Sequence, residues 1–151
     1  GSNTAVGYKA LEANTTASQN VAVGYQAGYS NTTAGNNVLI GYKSGYTGVT
    51  ATQVTGLGSN TLVSNTGSYN TALGYGAMYG NTSGANNTAV GVEALVANTT
   101  AGSNTAVGYR SLYTSTTGAN NTAVGKGALG ADTAGSLSVS SFSYTKLYNS
   151  Y

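Results

Sequence analysis

The sequence contains no cysteine, histidine, proline or tryptophan. Without cysteine there are no disulfides and no thiolate metal sites. Without histidine the commonest metal ligand and general base is gone. Charge is almost as scarce: Lys9, Lys43, Arg110, Lys126 and Lys146 oppose Glu12, Glu93 and Asp132, for a net +2 over 151 residues. So thin a balance cannot form the dense basic stripe that nucleic acid demands. No apolar run approaches membrane-spanning length, and no charged start followed by an apolar stretch suggests a signal peptide. The missing proline fits a structure in which every backbone N–H is wanted for a ladder.

What is present is a repeat of 17 residues. The first unit, from Asn3, is NTAVGYKALEANTTASQ, and the next, from Asn20, is NVAVGYQAGYSNTTAGN. Further units begin at Asn37, Val54, Asn70, Asn87, Asn104 and Asn121, and only the unit at Val54 is shorter, by one residue. The glycines Gly7, Gly24, Gly41, Gly58, Gly74, Gly91, Gly108 and Gly125 share one column. A fixed short period marks a stacked, quasi-one-dimensional array. Composition rich in Gly, Asn, Thr, Ser and Ala could also mean disorder, but each column keeps its chemistry along the chain.

Within a unit the fourth column is apolar and mostly β-branched: Val6, Val23, Ile40, Leu57, Leu73, Val90, Val107 and Val124. That is strand chemistry. The second column holds Thr or Val and shares a face with the fourth, because side chains alternate along a strand. The third column is mostly alanine, with Leu39 and Gly56 as departures. The column glycine ends the strand where φ turns positive. A second short strand is expected next, with small residues at Ala10 or Ala27 beside a column of Leu11, Leu62, Met78, Leu95, Leu112 and Leu129, interrupted by Gly28 and Gly45. Asn-Thr-Thr segments at Asn14, Asn31 and Asn98 close the unit with turns.

Two strands and two turns per unit predict an all-β β-solenoid, a parallel β-roll or β-helix of eight rungs spanning ~38 Å at ~4.8 Å each. Asparagine columns can then form amide ladders and tyrosine columns can stack. Each rung offers about two large apolar side chains, a thin core that favours further burial between chains. The alanine column Ala5, Ala22, Ala72, Ala89, Ala106 and Ala123 is the expected place for close approach of neighbouring backbones, and a homotrimer is the expected assembly.

The strings NTAVGYKAL, NTALGYGAM, NTAVGVEAL and NTAVGYRSL, each followed by an NTT-like turn, resemble repeats of bacteriophage tail-fibre proteins. They are similar, more distantly, to the SVAIG-type head repeats of trimeric autotransporter adhesins, whose units are shorter as a rule. The resemblance covers residues 3–137. It implies a parallel homotrimer of β-rolls or β-helices, an attachment role outside the cell on a virion, and no catalysis. Residues 138–151, SVSSFSYTKLYNSY, abandon the repeat and bring Phe142, Tyr144, Tyr148 and Tyr151. This segment reads as a cap on the open sheet edge, with a binding tip as the alternative. It bears no sign of the self-cleaving chaperone domain that ends many fibres of the phage class. The chain starts directly in a repeat, so it reads as a fragment of something longer.

Tyrosine forms two columns: Tyr8, Tyr25, Tyr42, Tyr75 and Tyr109 directly after the glycine, and Tyr29, Tyr46, Tyr79 and Tyr113 four residues later. Stacked aromatics stabilise rungs by themselves. The functional reading is a strip binding bacterial surface polysaccharide or another host receptor, through Tyr29, Tyr46, Tyr79 and Tyr113, which should point outward. The intervening column of Lys9, Gln26, Lys43, Glu93 and Arg110 reads as solvated rung charges, with anionic polysaccharide as a second possibility. Glu12, Glu93 and Asp132 sit in different columns, whereas glycoside hydrolysis needs a carboxylate pair within about 5–10 Å. No catalytic, metal or cofactor site is expected, and no membrane insertion. Gly56-Leu57-Gly58 lacks both the third glycine of a dinucleotide fingerprint and the lysine of a P-loop.

Three alternatives to a receptor-binding fibre segment stand beside it: a trimeric bacterial adhesin head, a passive fibre shaft, and an ice-binding solenoid. The last would use Thr15, Thr32, Thr66, Thr82, Thr99 and Thr116, although these sit in turns and ice binding wants a flat outward threonine array on a strand.

Overall fold

Each Thr-Ala-Val triplet becomes a three-residue strand, and successive triplets lie directly over one another. The computed structural model describes residues 1–48, 50–131 and 133–141. Its strands are β1 (Thr4–Val6), β2 (Val21–Val23), β3 (Val38–Ile40), β4 (Thr55–Leu57), β5 (Thr71–Leu73), β6 (Thr88–Val90), β7 (Thr105–Val107), β8 (Thr122–Val124) and β9 (Val139–Ser140). They form one parallel sheet in chain order. Thr pairs with Thr and Ala with Ala from β5 to β8, and the short fourth unit is absorbed without a slip, Thr55 facing Thr71. The protein is therefore an all-β solenoid of about eight turns, as the period predicts. Val139 pairs with Thr122, so the ladder runs beyond Leu137. Asp132 and the aromatic residues Phe142, Tyr144, Tyr148 and Tyr151 lie outside the described residues.

The interior belongs to the alanines. Ala22, Ala72, Ala89, Ala106 and Ala123 have no exposed surface, while the second and fourth columns face outward. This corrects the expected role of the alanine column, which lines the roll instead of meeting a neighbouring chain. The reason is width: Leu62, Met78, Leu95 and Leu112 reach across from the opposite wall and are fully buried, so only a methyl fits beneath them. Most rungs put one large apolar side chain into the core in place of two; the second puts in none, and the fourth adds Val54 to Leu62. Leu73 and Val124, by contrast, keep 41% and 43% of their surface exposed.

The expected second strand does not form among the described residues. After the column glycine the chain makes two consecutive four-residue turns, closed in the second unit by Ala27 N–H to Gly24 C=O (3.4 Å) and Asn31 N–H to Gly28 C=O (3.0 Å). Alternate residues take the left-handed conformation: Lys9 and Leu11 have φ of 57° and 52°, Glu93 and Leu95 of 55° and 53°. Small and large residues alternate here as they do in a strand, yet the alternation comes from turns. Rung-to-rung hydrogen bonding survives, with Gln26 N–H donating to Tyr8 C=O at 2.8 Å and Leu95 N–H to Ser111 C=O at 2.9 Å.

The third rung inverts the core pattern. Its strand carries Leu39 and its turn carries Gly45, and a Cβ on Gly45 would lie 2.7 Å from Leu39 Cδ1. The leucine comes from the sheet side, and the glycine opposite leaves room for it. Gly56 above and Gly28 below open the same space, their hypothetical Cβ atoms meeting Leu39 methyls at 3.3 and 3.2 Å. The four departures from the column pattern are thus one compensated exchange.

Asparagine forms the polar spine. Asn104 Oδ1 accepts the Asn121 N–H (2.9 Å), Asn104 Nδ2 donates to Gly118 C=O (2.8 Å), and the Asn104 N–H reaches Asn87 Oδ1 (2.9 Å). The same relay runs through Asn3, Asn20 and Asn37 and reaches the Val54 N–H, where the side chain has no amide to continue it. A second ladder links Asn98 Nδ2 to Asn81 Oδ1 at 2.6 Å. Burying these amides is tolerable because most find partners at rung spacing; Asn98 Oδ1, where the second ladder ends, is buried without one among the described residues. The column glycine is required by geometry: Gly74 has φ of +122°, and a Cβ there would sit 2.6 Å from the Gly91 oxygen.

Candidate functional site

The two turns after each glycine place the sixth residue of the rung, its left-handed neighbour and the second tyrosine along one edge of the solenoid. Rung stacking brings Tyr8 over Tyr25 and Tyr25 over Tyr42, each with ring centroids 5.3 Å apart and planes within 15°. Tyr29 and Tyr46 stack likewise at 5.3 Å. The left-handed residue between the columns delivers a cation to both. Lys43 Nζ lies 5.4 Å from the Tyr42 centroid and 4.9 Å from that of Tyr46. The Arg110 guanidinium lies 5.1 Å from Tyr109 and 4.8 Å from Tyr113. Lys9 bridges Tyr8 and Tyr29 at 5.6 and 5.7 Å. Such contacts hold a cation by the ring quadrupole.

Two carboxylates join this edge. Glu12 is 3.2 Å from Lys9, and Glu93 accepts a 2.6 Å hydrogen bond from Arg110 Nε of the next rung. Those bonds, before any other influence, raise the Lys9 and Arg110 pKa values above their ordinary levels. Glu12 and Glu93 belong to different rungs, and each has a basic partner. Among the described residues no three His, Cys, Asp or Glu side chains come together.

The four tyrosines predicted as a strip occupy one edge but differ in what they can offer. Tyr29 and Tyr46 each give a ring face to the other, and Tyr113 has the Arg110 guanidinium over its ring. Tyr79 is half exposed. Its rung-mates above and below, Val96 and Val63, are not aromatic, so no stacking partner covers it. It borders a cleft of about 220 Å³ lined by Asn60, Tyr75, Gly76, Tyr79, Glu93 and Val96. Sequence columns alone miss this cleft. Its signal is nonetheless present: Tyr42-Lys43-x-x-Tyr46 and Tyr109-Arg110-x-x-Tyr113 recur as Tyr75-Gly76-x-x-Tyr79, with glycine where the cation stands.

No family model, no curated protein and no solved structure matches the chain.

Proposed function

We propose that this chain is a segment of a bacteriophage tail fibre that attaches the virion to a bacterial surface polysaccharide, acting by binding and not by catalysis. The observation that carries the reading is the tyrosine edge: in-register rungs repeat aromatic contact groups along a rod. A tyrosine offers a sugar an apolar face and a hydroxyl, and repetition along three chains multiplies weak contacts when receptor spacing permits simultaneous engagement. The assembly we assign is a parallel homotrimer. Its contact is the outer sheet face, where Leu57 and Leu73 stand exposed beside Val90, Val107 and Val124. An aliphatic column of this length along one face fits a surface that another chain covers.

Adsorption of the purified, assembled chain to host cells tests the attachment role. Changing Tyr79 and Tyr113 together to Ser is expected to lower adsorption roughly tenfold or more, since avidity amplifies a small loss per site. No adsorption by the correctly assembled chain makes it a passive shaft. Unchanged adsorption in the double variant moves the contact off the tyrosine edge.

A second reading, ice binding, gains one observation. Five of its six expected threonines are spent on the fold: the hydroxyls of Thr15, Thr66, Thr82, Thr99 and Thr116 donate to a carbonyl of the next rung. The strand column Thr71, Thr88, Thr105 and Thr122 faces outward instead. That is an in-register, outward threonine array on strands, on the same face as the trimer contact. Thermal hysteresis from a monomeric chain supports the ice reading, and a stable trimer without hysteresis excludes it.

A further inference from the structure

The Tyr75–Tyr79 cleft repeats a cation clamp from which the cation has been removed. In the third and seventh rungs the same two tyrosine positions hold a positive group between them, Lys43 at 5.4 and 4.9 Å and Arg110 at 5.1 and 4.8 Å from the two ring centroids. In the fifth rung the residue between them is Gly76. The backbone does not demand glycine there: Gly76 has φ of 65°, while Lys43 and Arg110 adopt 53° in the same column. Nor does packing demand it, because a Cβ on Gly76 would meet only Glu93 Cγ, at an ordinary 3.7 Å. What the glycine provides is the opening.

We propose that this cleft binds the ammonium group of an external ligand, a primary or quaternary organic amine. Tyr75 and Tyr79 supply two aromatic walls that are 54% and 50% exposed. Glu93 supplies the negative charge. Its Oε2 accepts the Arg110 Nε hydrogen bond, which fixes the carboxylate beside the cleft that Glu93 lines, and leaves Oε1 for an incoming ammonium. Asn60 and Val96 complete the walls. Two aromatic faces and a carboxylate are the combination that selects an alkylammonium over a neutral group of equal shape. A bare metal ion is a poor fit, with a single carboxylate available. The site shares Tyr79 with the attachment reading but does not depend on it, because an amine can bind whether or not the chain adsorbs to cells.

Titration of the intact chain with choline chloride, against sodium chloride at equal ionic strength, tests the site by NMR of the tyrosine rings, with Tyr75 and Tyr79 assigned through Tyr75→Phe and Tyr79→Phe. Choline is expected to shift these two residues saturably and to leave Tyr8, Tyr25 and Tyr42 in place. The neutral isostere 3,3-dimethylbutan-1-ol should bind roughly tenfold more weakly, as loss of a cation–π contact implies. Glucosamine and N-acetylglucosamine form a second pair, and the tighter of choline and glucosamine identifies the headgroup or the amino sugar as the source. Gly76→Lys should fill the cleft from within and abolish choline binding with the circular dichroism unchanged, and Glu93→Gln should weaken it several-fold. Equal binding of the isostere, or no saturable shift with either amine, overturns the proposal. The isostere comparison uses the unmodified chain, so it decides the matter even if a variant misfolds.

Discussion

At the scale of single residues the polar interior does as much as the apolar one. Asn104 is fully buried: its own N–H donates to Asn87 Oδ1, and its side chain satisfies two further groups, the Asn121 N–H and the Gly118 carbonyl. Asn104→Ala leaves the last two without side-chain partners in a region closed to water. Each stranded backbone group costs ~1–3 kcal/mol, so urea denaturation should show a loss of about 2–6 kcal/mol. The Thr99 hydroxyl provides a contrast: it donates to Thr116 C=O at 3.1 Å from a partly exposed turn where water can substitute. Thr99→Val should cost less than about 1 kcal/mol. A loss at Asn104 no greater than at Thr99 would mean that the amide ladder contributes nothing beyond its shape.

At the scale of the rung, strand and turn trade volume. Leu39 lies on the strand where most rungs have alanine, and Gly45 lies in the turn where most have leucine or methionine. Leu39→Ala alone should lose ~2–5 kcal/mol through the cavity it leaves. Gly45→Leu alone drives a second side chain into the space of the first, at ~1–3 kcal/mol. Together they recreate the Ala/Leu pair of the first, sixth and seventh rungs, so the double variant should recover part of the summed loss, while the spaces at Gly28 and Gly56 that Leu39 also fills stay open. Purely additive losses in a double-mutant cycle would show that Leu39 and Gly45 are independent.

The period, the strand triplet and the positive φ of the column glycine were all legible in the sequence, because stacking makes each column report one environment. Which face of the triplet turns inward was not. Ala and Val alternate equally well with either side inside, and the choice rests on how far the leucines reach from the facing wall. The turns from Tyr8 to Asn14 were hidden for a related reason: left-handed Lys9 and Leu11 mimic strand alternation, and leucine gives no local sign that it will accept φ above zero. At the tyrosine edge the columns were visible, but the open place at Gly76 appears only when Tyr75 and Tyr79 are compared in space with the filled clamps around Lys43 and Arg110.

At the scale of the whole molecule the inward alanines change how assembly is tested. Ala89→Phe now places a ring inside the roll, beside Met78 and Leu95 in the same core cluster, and should unfold the chain itself at a cost of about 3 kcal/mol or more. It therefore reports on the rung and says nothing about neighbours. Val107 is the informative position. It lies on the outer sheet face, flanked in register by Val90 and Val124, so Val107→Glu leaves the interior intact. In a homotrimer built on that face, the substitution buries three carboxylates near one another. Like charges removed from water together are costly, and sedimentation should show the trimer falling to folded monomers with unchanged circular dichroism. Raising salt should not rescue it, because desolvation is not screened. A trimer that survives Val107→Glu with Val90→Glu would place the contact on another face. A stable folded monomer of the unmodified chain at micromolar concentration would remove the trimer altogether, and with it the threefold avidity that the attachment reading requires.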